Sequence, residues 1–264
     1  MHRLKANPPR YNGRLPLTHP EAAPPMTQHT PRDFTPVMFQ TWRHLLFAHW
    51  PIDREIMNAL LPKPLRAHTF DGEAWVAVVP FLMTDVRLRG LPPVPLTHRL
   101  QELNVRTYVI LDDEPGVYFF SLDASNLLEV EIARVWFRLN YFHAGMTMYH
   151  YGGTIHYSSR REDPRAKPGT LAARYRPSGP AERSEPGSLV HWLTERYALY
   201  AADGRGGVWR GRISHPQWPL QPADAEFPVN DVAQSHGLPL PDTAPLLHYA
   251  ESINIQAGAI QRIR

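Results

Sequence analysis

The sequence predicts an α+β, mainly β protein: an antiparallel, cone-shaped β-barrel with two or three packed helices. Three observations carry this. Segments of strand character outnumber helical ones about three to one. Most are joined by short turns, which favours antiparallel pairing over crossover units. The 264 residues are 43% hydrophobic with seven Trp, enough for a real core, and neither a linker nor a repeat divides them.

The elements follow in order. Residues 1–35 contain seven prolines and no apolar periodicity, and read as a disordered or loosely attached basic extension, leaving 36–264 as a single domain. Val37–His49 is β-branched and aromatic, as a strand requires. Asp53 is placed to cap a helix Arg54–Leu61 with Ile56, Leu60 and Leu61 on one face, stopped by Pro62 and Pro64. Ala67–Phe70 leads through Asp71-Gly72 into Ala74–Val86, a hairpin signal. The proline-set loop RGLPPVP follows. Leu100–Leu111 alternates: Leu103, Val105, Thr107 and Val109 point one way, Glu102, Asn104, Arg106 and Tyr108 the other. After the strand Val117–Leu122, Ser125 opens a helix through Leu139, with Leu128, Ile132, Val135 and Trp136 at helical spacing. Gly152-Gly153 joins Met146–Tyr151 to Thr154–Ser159. Leu171–Tyr175, a helix Leu189–Tyr197 after Ser188, and strands at Val208–Ser214, Leu220–Phe227 and Ser252–Ile263 complete the chain.

Composition excludes several chemistries. With no cysteine there are no disulfides, thiol nucleophiles or iron–sulfur sites. The formal charge of +3 equals that of residues 1–35 alone, so the remainder is neutral and no basic face for nucleic acid is expected. The longest apolar run, Ala74–Met83, is about half of a membrane span, and residues 1–35 lack a secretory apolar stretch, so a cytoplasmic protein without membrane partners is expected. Fourteen histidines form no HExxH motif, so no metal site is indicated. No phosphate-binding glycine loop or G-x-S-x-G elbow occurs, and no cofactor is expected. Only Lys5, Lys63 and Lys167 are lysines among 28 basic residues.

The candidate site is the face of Leu100–Leu111 bearing Glu102, Asn104 and Arg106. Two readings stand side by side: an ordinary solvated face, or a polar patch lining a barrel cavity, where such groups need partners or a ligand. His215-Pro216-Gln217-Trp218-Pro219 is a rigid aromatic turn that either rims a pocket or forms a structural corner.

The segments AHWPIDREIMNALLPKPL, TFDGEAWVAVVPFLMTDVRLRGLPPVP, ELNVRTYV and GVYFFSLDA, with the run from Ala133-Arg134 to LNYFHAGM, resemble the YqjF-like family of uncharacterised bacterial proteins over residues 37–225. That family is placed in the acetoacetate decarboxylase-like superfamily, which implies a cone-shaped barrel around a cavity. Acetoacetate decarboxylases form a Schiff base on a lysine of lowered pKa. Laying their R-x-x-W-G-F-P-K-K segment on Arg134–Phe142 puts the arginine on Arg134 and the lysine on Tyr141. Their substrate-binding arginine falls near Trp50, beside His49 and Pro51, and an upstream glutamate near Pro80. Glu102 keeps a family carboxylate. The resemblance thus implies the scaffold without the Schiff-base reaction. Glu102 and Tyr141 are the candidate catalytic pair; Arg106, Asn104, Arg134, Trp50 and Trp218 are candidate binding residues, with Trp75, Phe81 and Phe119 as further apolar walls. The expected partner is a small organic or lipid-like acid in the cavity; a non-catalytic protein with a filled barrel is the alternative, and a homo-oligomer stays open.

Overall fold

The computed structural model describes residues 28–29, 34–92, 99–203 and 206–264. Most of the expected N-terminal extension therefore lies outside the described residues, as does the end of the RGLPPVP loop. Within the extension, β1 (Gln28–His29) pairs with Pro216 and His215.

Strand β2 (Pro36–Ile52) begins the barrel, and α1 (Arg54–Leu60) follows it. The Asp53 carboxylate caps α1 by accepting from the backbone N–H of Glu55 and Ile56 at 2.8 and 3.0 Å. The helix anchors through Met57, which is fully buried; Ile56, expected on the packing face, is exposed. A short β3 (Arg66–Ala67) pairs with β5 (Leu100–Leu111) rather than forming the expected hairpin with β4 (Ala74–Leu88), because only one bridge, Phe70 to Glu73, spans the Asp71-Gly72 turn. Strand β6 (Glu114–Ala124), helix α2 (Leu127–Phe137) and β7 (Tyr141–Tyr151) come next. Helix α2 is shorter than expected at both ends: the Ser125 hydroxyl accepts from the Gln101 N–H, and the helix stops at Phe137, before Arg138 at φ 55°, rather than at Leu139. Gly152 and Gly153 take φ of 56° and 78°, the left-handed pair that a two-residue hairpin demands, joining β7 to β8 (Thr154–Arg161).

The chain continues through β9 (Thr170–Pro177), α3 (Leu189–Thr194), β10 (Ala198–Ala202), β11 (Val208–Pro216), β12 (Gln221–Asn230), β13 (Leu246–Gly258) and β14 (Gln261–Arg262). Helix α3 ends before Tyr197, so the strand β10 occupies residues just past the expected helix. Pairings are antiparallel apart from the β6–β7 and β6–β10 seams.

Two rings result. Nine strands close in the order β6-β7-β8-β9-β12-β13-β2-β4-β5 and back to β6. Strands β10 and β11 also bridge β6 to β13, closing a smaller ring that shares β13, β2, β4, β5 and β6. Among the shared strands, β5 is buried on both faces along most of its length. On β5, Leu103 and Val105 enter the core of the larger ring with Tyr157, Tyr175 and Tyr249, while the alternate residues face the smaller ring.

Bulges tune which face each shared strand presents. Register slips between β2 and β4 at His44 (φ 52°) and around Asp85 (φ 58°). Trp42 and Phe47 thereby reach the same side despite their odd spacing. The slip also accommodates Pro80, which sits mid-strand without an N–H to donate. It lies opposite the stretch of β2 where regular pairing lapses between Arg43 and Ala48.

Burial also writes a pH dependence into the fold. Burial, then the Arg196 charge, holds His68 at about 4; burial, then Arg161 and Lys167, holds His236 at about 4. Burial lowers His49, His215 and His248 as well. A folded pKa below the ordinary 6.5 contributes stability that is complete above pH 6.5 and lost as pH falls towards 4. The melting temperature should therefore drop over that interval, and His236→Gln should flatten part of the drop. A calorimetric profile flat from pH 7 to 4 would contradict this.

Candidate ligand cavity

The smaller ring encloses a cavity of about 380 Å³. Every strand of that ring contributes to its lining: Trp42 from β2, Met83 from β4, Asn104 from β5, Phe119 from β6, Leu199 from β10, Ile213 from β11 and Ala257 from β13. Leu128, Ile132 and Trp136 on α2 line its open end and remain 69%, 45% and 56% exposed. Their helical spacing suggested a packing stripe; the helix instead rims a cavity, and its apolar residues meet space rather than a neighbouring layer. Val135, grouped with them by spacing, is exposed and lies outside the lining.

Strand β5 supplies the polar floor, with Glu102 and Asn104 each 3% exposed and Arg106 7%. Of the two readings of this face, the cavity lining is the one observed. The Tyr141 hydroxyl donates to Glu102 Oε2 at 3.1 Å, and both residues line the cavity. From the larger ring, the Tyr157 hydroxyl donates to the Glu102 carbonyl at 2.8 Å, fixing the backbone that carries the carboxylate. Arg134 Nη1 donates to the Tyr141 carbonyl at 2.8 Å while its guanidinium lies 5.6 Å from the Phe142 ring. Arg134 thus stands outside the cavity and steadies Tyr141 through its backbone.

Further along β5 the polar atoms have open valences. Asn104 Oδ1 and Arg106 Nε find no hydrogen-bond partner among the described residues, nor does Trp42 Nε1 in the wall. The Arg106 guanidinium carbon lies 5.1 Å from the Phe47 ring centroid. Behind it, Tyr108 and His49 are fully buried and joined at 2.7 Å, with His49 held well below its usual pKa by burial and then by Arg106.

Sequence reasoning missed Arg196. It follows α3, where no alternation marks a face, yet it lines the cavity at 7% exposure. Its Nε donates to the Trp192 carbonyl at 2.6 Å and its Nη1 to His68 Nδ1 at 3.1 Å, an acceptor role available to a neutral imidazole. Its Nη2 has no partner among the described residues. Burial above all, with Arg106 adding, lowers Arg196 to about 10.

The two candidate tryptophans lie elsewhere. Trp50 is buried in the larger ring, 5.8 Å from Phe227. Trp218 stands in a second layer, edge-on to Phe47 at 4.9 Å and 6.1 Å from Trp42, so its turn is a structural corner. Of the other proposed walls, Phe119 lines the cavity, whereas Phe81 packs behind Trp42 at 5.0 Å and Trp75, outside the lining, packs against the cluster that contains Phe119. Lys63 and Lys167 are exposed, and neither lines the cavity. Among the described residues no cluster of His, Asp or Glu could hold a metal ion, and no helix is long and apolar enough to cross a membrane.

The ring topology defines the class: this is an acetoacetate decarboxylase-like barrel. An enduracididine biosynthesis enzyme, MppR, superposes with a TM-score of 0.60 at 9% identity, over 87% of this chain and 88% of that one. An acetoacetate decarboxylase gives 0.58 at 12%, over 87% and 91%. An acetoacetate decarboxylase-like enzyme from Sphingomonas wittichii RW1 gives 0.54 at 14%, over 87% and 94%. At such identities the likeness is one of fold. More narrowly, the chain belongs to the DUF2071 family of uncharacterized conserved proteins, whose pattern matches residues 39–254. It is 44% identical over 219 residues to the uncharacterized protein YqjF of Bacillus subtilis (strain 168), covering 83% of this chain and 89% of that relative.

Proposed function

We propose that this protein binds a small, largely apolar organic molecule inside its smaller ring, and that any chemistry there is acid–base rather than Schiff-base. One observation carries the reading: a cavity of about 380 Å³ with mostly apolar walls, lined also by the polar side chains Glu102, Asn104, Arg106, Tyr141 and Arg196. Pockets that hold small molecules combine this size with few, well-placed polar groups. A filled barrel, the alternative, describes the larger ring, where Tyr157, Tyr175 and Tyr249 occupy the interior.

Tyr141 stands where a Schiff-base lysine aligns in acetoacetate decarboxylases, and none of the lining residues is a lysine. A phenol cannot form that adduct. Glu102 and Tyr141 are instead the groups placed to exchange a proton with a bound compound, over the 3.1 Å contact that already joins them. In this reading the catalytic residues are Glu102 and Tyr141, Arg134 is a positioning residue, and the protein is soluble and cytoplasmic.

Native mass spectrometry of the purified protein should reveal a co-purified organic compound, released on denaturation. Glu102→Gln keeps the size and one acceptor of the side chain, so it should leave the melting temperature within a few degrees while changing ligand retention. If the variant simply unfolds, the Glu102 carboxylate belongs to a structural network with Tyr141 and the site assignment fails.

A further inference from the structure

We propose that the Arg106 and Arg196 end of the cavity is an anion subsite, and that the ligand is a carboxylic acid bound with its carboxylate there and its apolar body directed towards α2. The inference rests on the cavity-binding reading above and names the ligand class for it.

Two buried guanidiniums line one cavity from unrelated parts of the chain, each 7% exposed. Their carbons stand 5.9 and 5.3 Å from the centroid of the same Tyr108 ring. Among the described residues, no carboxylate comes within 4 Å of either, although eleven arginine–carboxylate contacts occur elsewhere in the fold. A buried charge without a counter-charge is costly, and two like charges together cost more. The carboxylate next in sequence, Glu195, accepts instead from the Tyr197 hydroxyl and the Trp218 N–H, and among the described residues no Asp or Glu pairs with either arginine.

The groups nearby do not substitute for it. His49, His68 and His215 are all lowered by burial and by the arginines, so they add dipoles and no negative charge. Glu102 sits four residues along β5 from Arg106, roughly 13 Å at strand rise, and already accepts from Tyr141. Arg196 is oriented by its bonds to the Trp192 carbonyl and His68, which fixes the plane of the fork and leaves Nη2 unbonded. Arg106 Nε is likewise unbonded. Both guanidiniums line the cavity, where a ligand carboxylate would supply the counter-charge that the fold does not.

Size and polarity set the rest of the ligand. Besides the polar side chains of β5 and Tyr141, the lining is mostly apolar, with Val117, Phe119, Leu122, Leu199, Ile132 and Trp136 among it. At liquid-like packing the volume holds on the order of a dozen non-hydrogen atoms. A medium-chain or aryl carboxylic acid meets both conditions.

Isothermal titration of the full chain with octanoate and with 1-octanol tests this, since the two differ only in the head group. Octanoate should bind, and 1-octanol at least about tenfold more weakly, the loss expected of a charge-assisted pair. Arg196→Gln should weaken octanoate by a similar factor and leave 1-octanol unchanged; Arg106→Gln should do the same. Arg196→Lys, which keeps charge but loses the fork, should fall between. Should Arg106→Gln fail to fold, the wild-type pair of compounds and the Arg196 variants still decide. If 1-octanol binds as tightly as octanoate, or if octanoate binding survives the Arg196 changes, the anion subsite is wrong while cavity binding stands. If neither compound binds, and C4–C12 acids and alcohols also fail, the cavity-binding reading itself falls.

Discussion

Arg161→Met is expected to cost about 3–5 kcal/mol at pH 8, because it strands a buried carboxylate. The Arg161 and Asp123 side chains are both 0% exposed. Arg161 Nε donates to Asp123 Oδ1 at 2.8 Å and Nη2 to Oδ2 at 3.1 Å. The remaining donors reach Ser121 Oγ, the Lys167 carbonyl and Ser235 Oγ, so the guanidinium ties β8 to β6 and to the loops beyond. Even so, burial raises the Asp123 carboxyl to about 6, against the pull of Arg161. Without the guanidinium the carboxyl would rise further and take up a proton in the folded state. A folded pKa raised above the ordinary 3.8 favours folding most at low pH and loses that advantage as pH climbs through it. Measured against wild type at each pH, the variant should therefore lose less stability at pH 5 than at pH 8. The double variant Asp123→Leu with Arg161→Met removes both charges and should recover much of the loss. Urea denaturation of all three proteins measures this; a loss under about 1 kcal/mol would show that the pair is dispensable, and a larger loss equal at pH 5 and 8 would show that the stranded carboxylate is not its cause.

How far this molecule was legible in its sequence depends on how many layers each strand touches. The barrel class, the Leu100–Leu111 strand and its two faces, the Asp53 cap and the Gly152-Gly153 turn all follow from local patterns, and each is present. Glu102, Asn104, Arg106 and Tyr141 were found from alternation and resemblance, and they share one cavity. What local pattern could not supply was whether the polar face of β5 met water or protein. A strand shared by two rings and a strand at the surface show the same alternation, since a polar cavity floor and a solvated face use the same residue types. Arg196 gave no signal for a related reason: its partners, His68, Tyr108 and Trp192, lie partly far away in sequence and no periodicity connects them. Exposed Leu128 and Trp136 misled in the opposite direction. Helical spacing reports that a face is apolar, not what lies against it.

Trp218→Ala is expected to destabilise the protein by about 3–5 kcal/mol, the range for deleting a large buried aromatic. It is also expected to leave the chemical preference of the cavity unchanged. Trp218 is 2% exposed and packs among Trp42, Phe47 and His215, with ring centroids 6.1, 4.9 and 5.3 Å away. Its backbone N–H donates to Glu195 Oε1 at 3.0 Å, so the turn is also tied to the segment that presents Arg196. Trp42, in contact with it, is a lining residue, and Phe47 lies beneath the Arg106 guanidinium. The indole therefore supports two sides of the cavity without entering it. Trp218→Phe fills much of the same volume, and the Nε1 donor it deletes has no partner among the described residues. Phe should accordingly recover most of the stability lost on truncation to Ala. Chemical denaturation of the two variants, paired with octanoate and 1-octanol titrations of Trp218→Phe, separates a wall from a binding residue. An unchanged ratio of the two affinities identifies a wall. A collapsed ratio in a fully folded Trp218→Phe protein would return the indole to the ligand site.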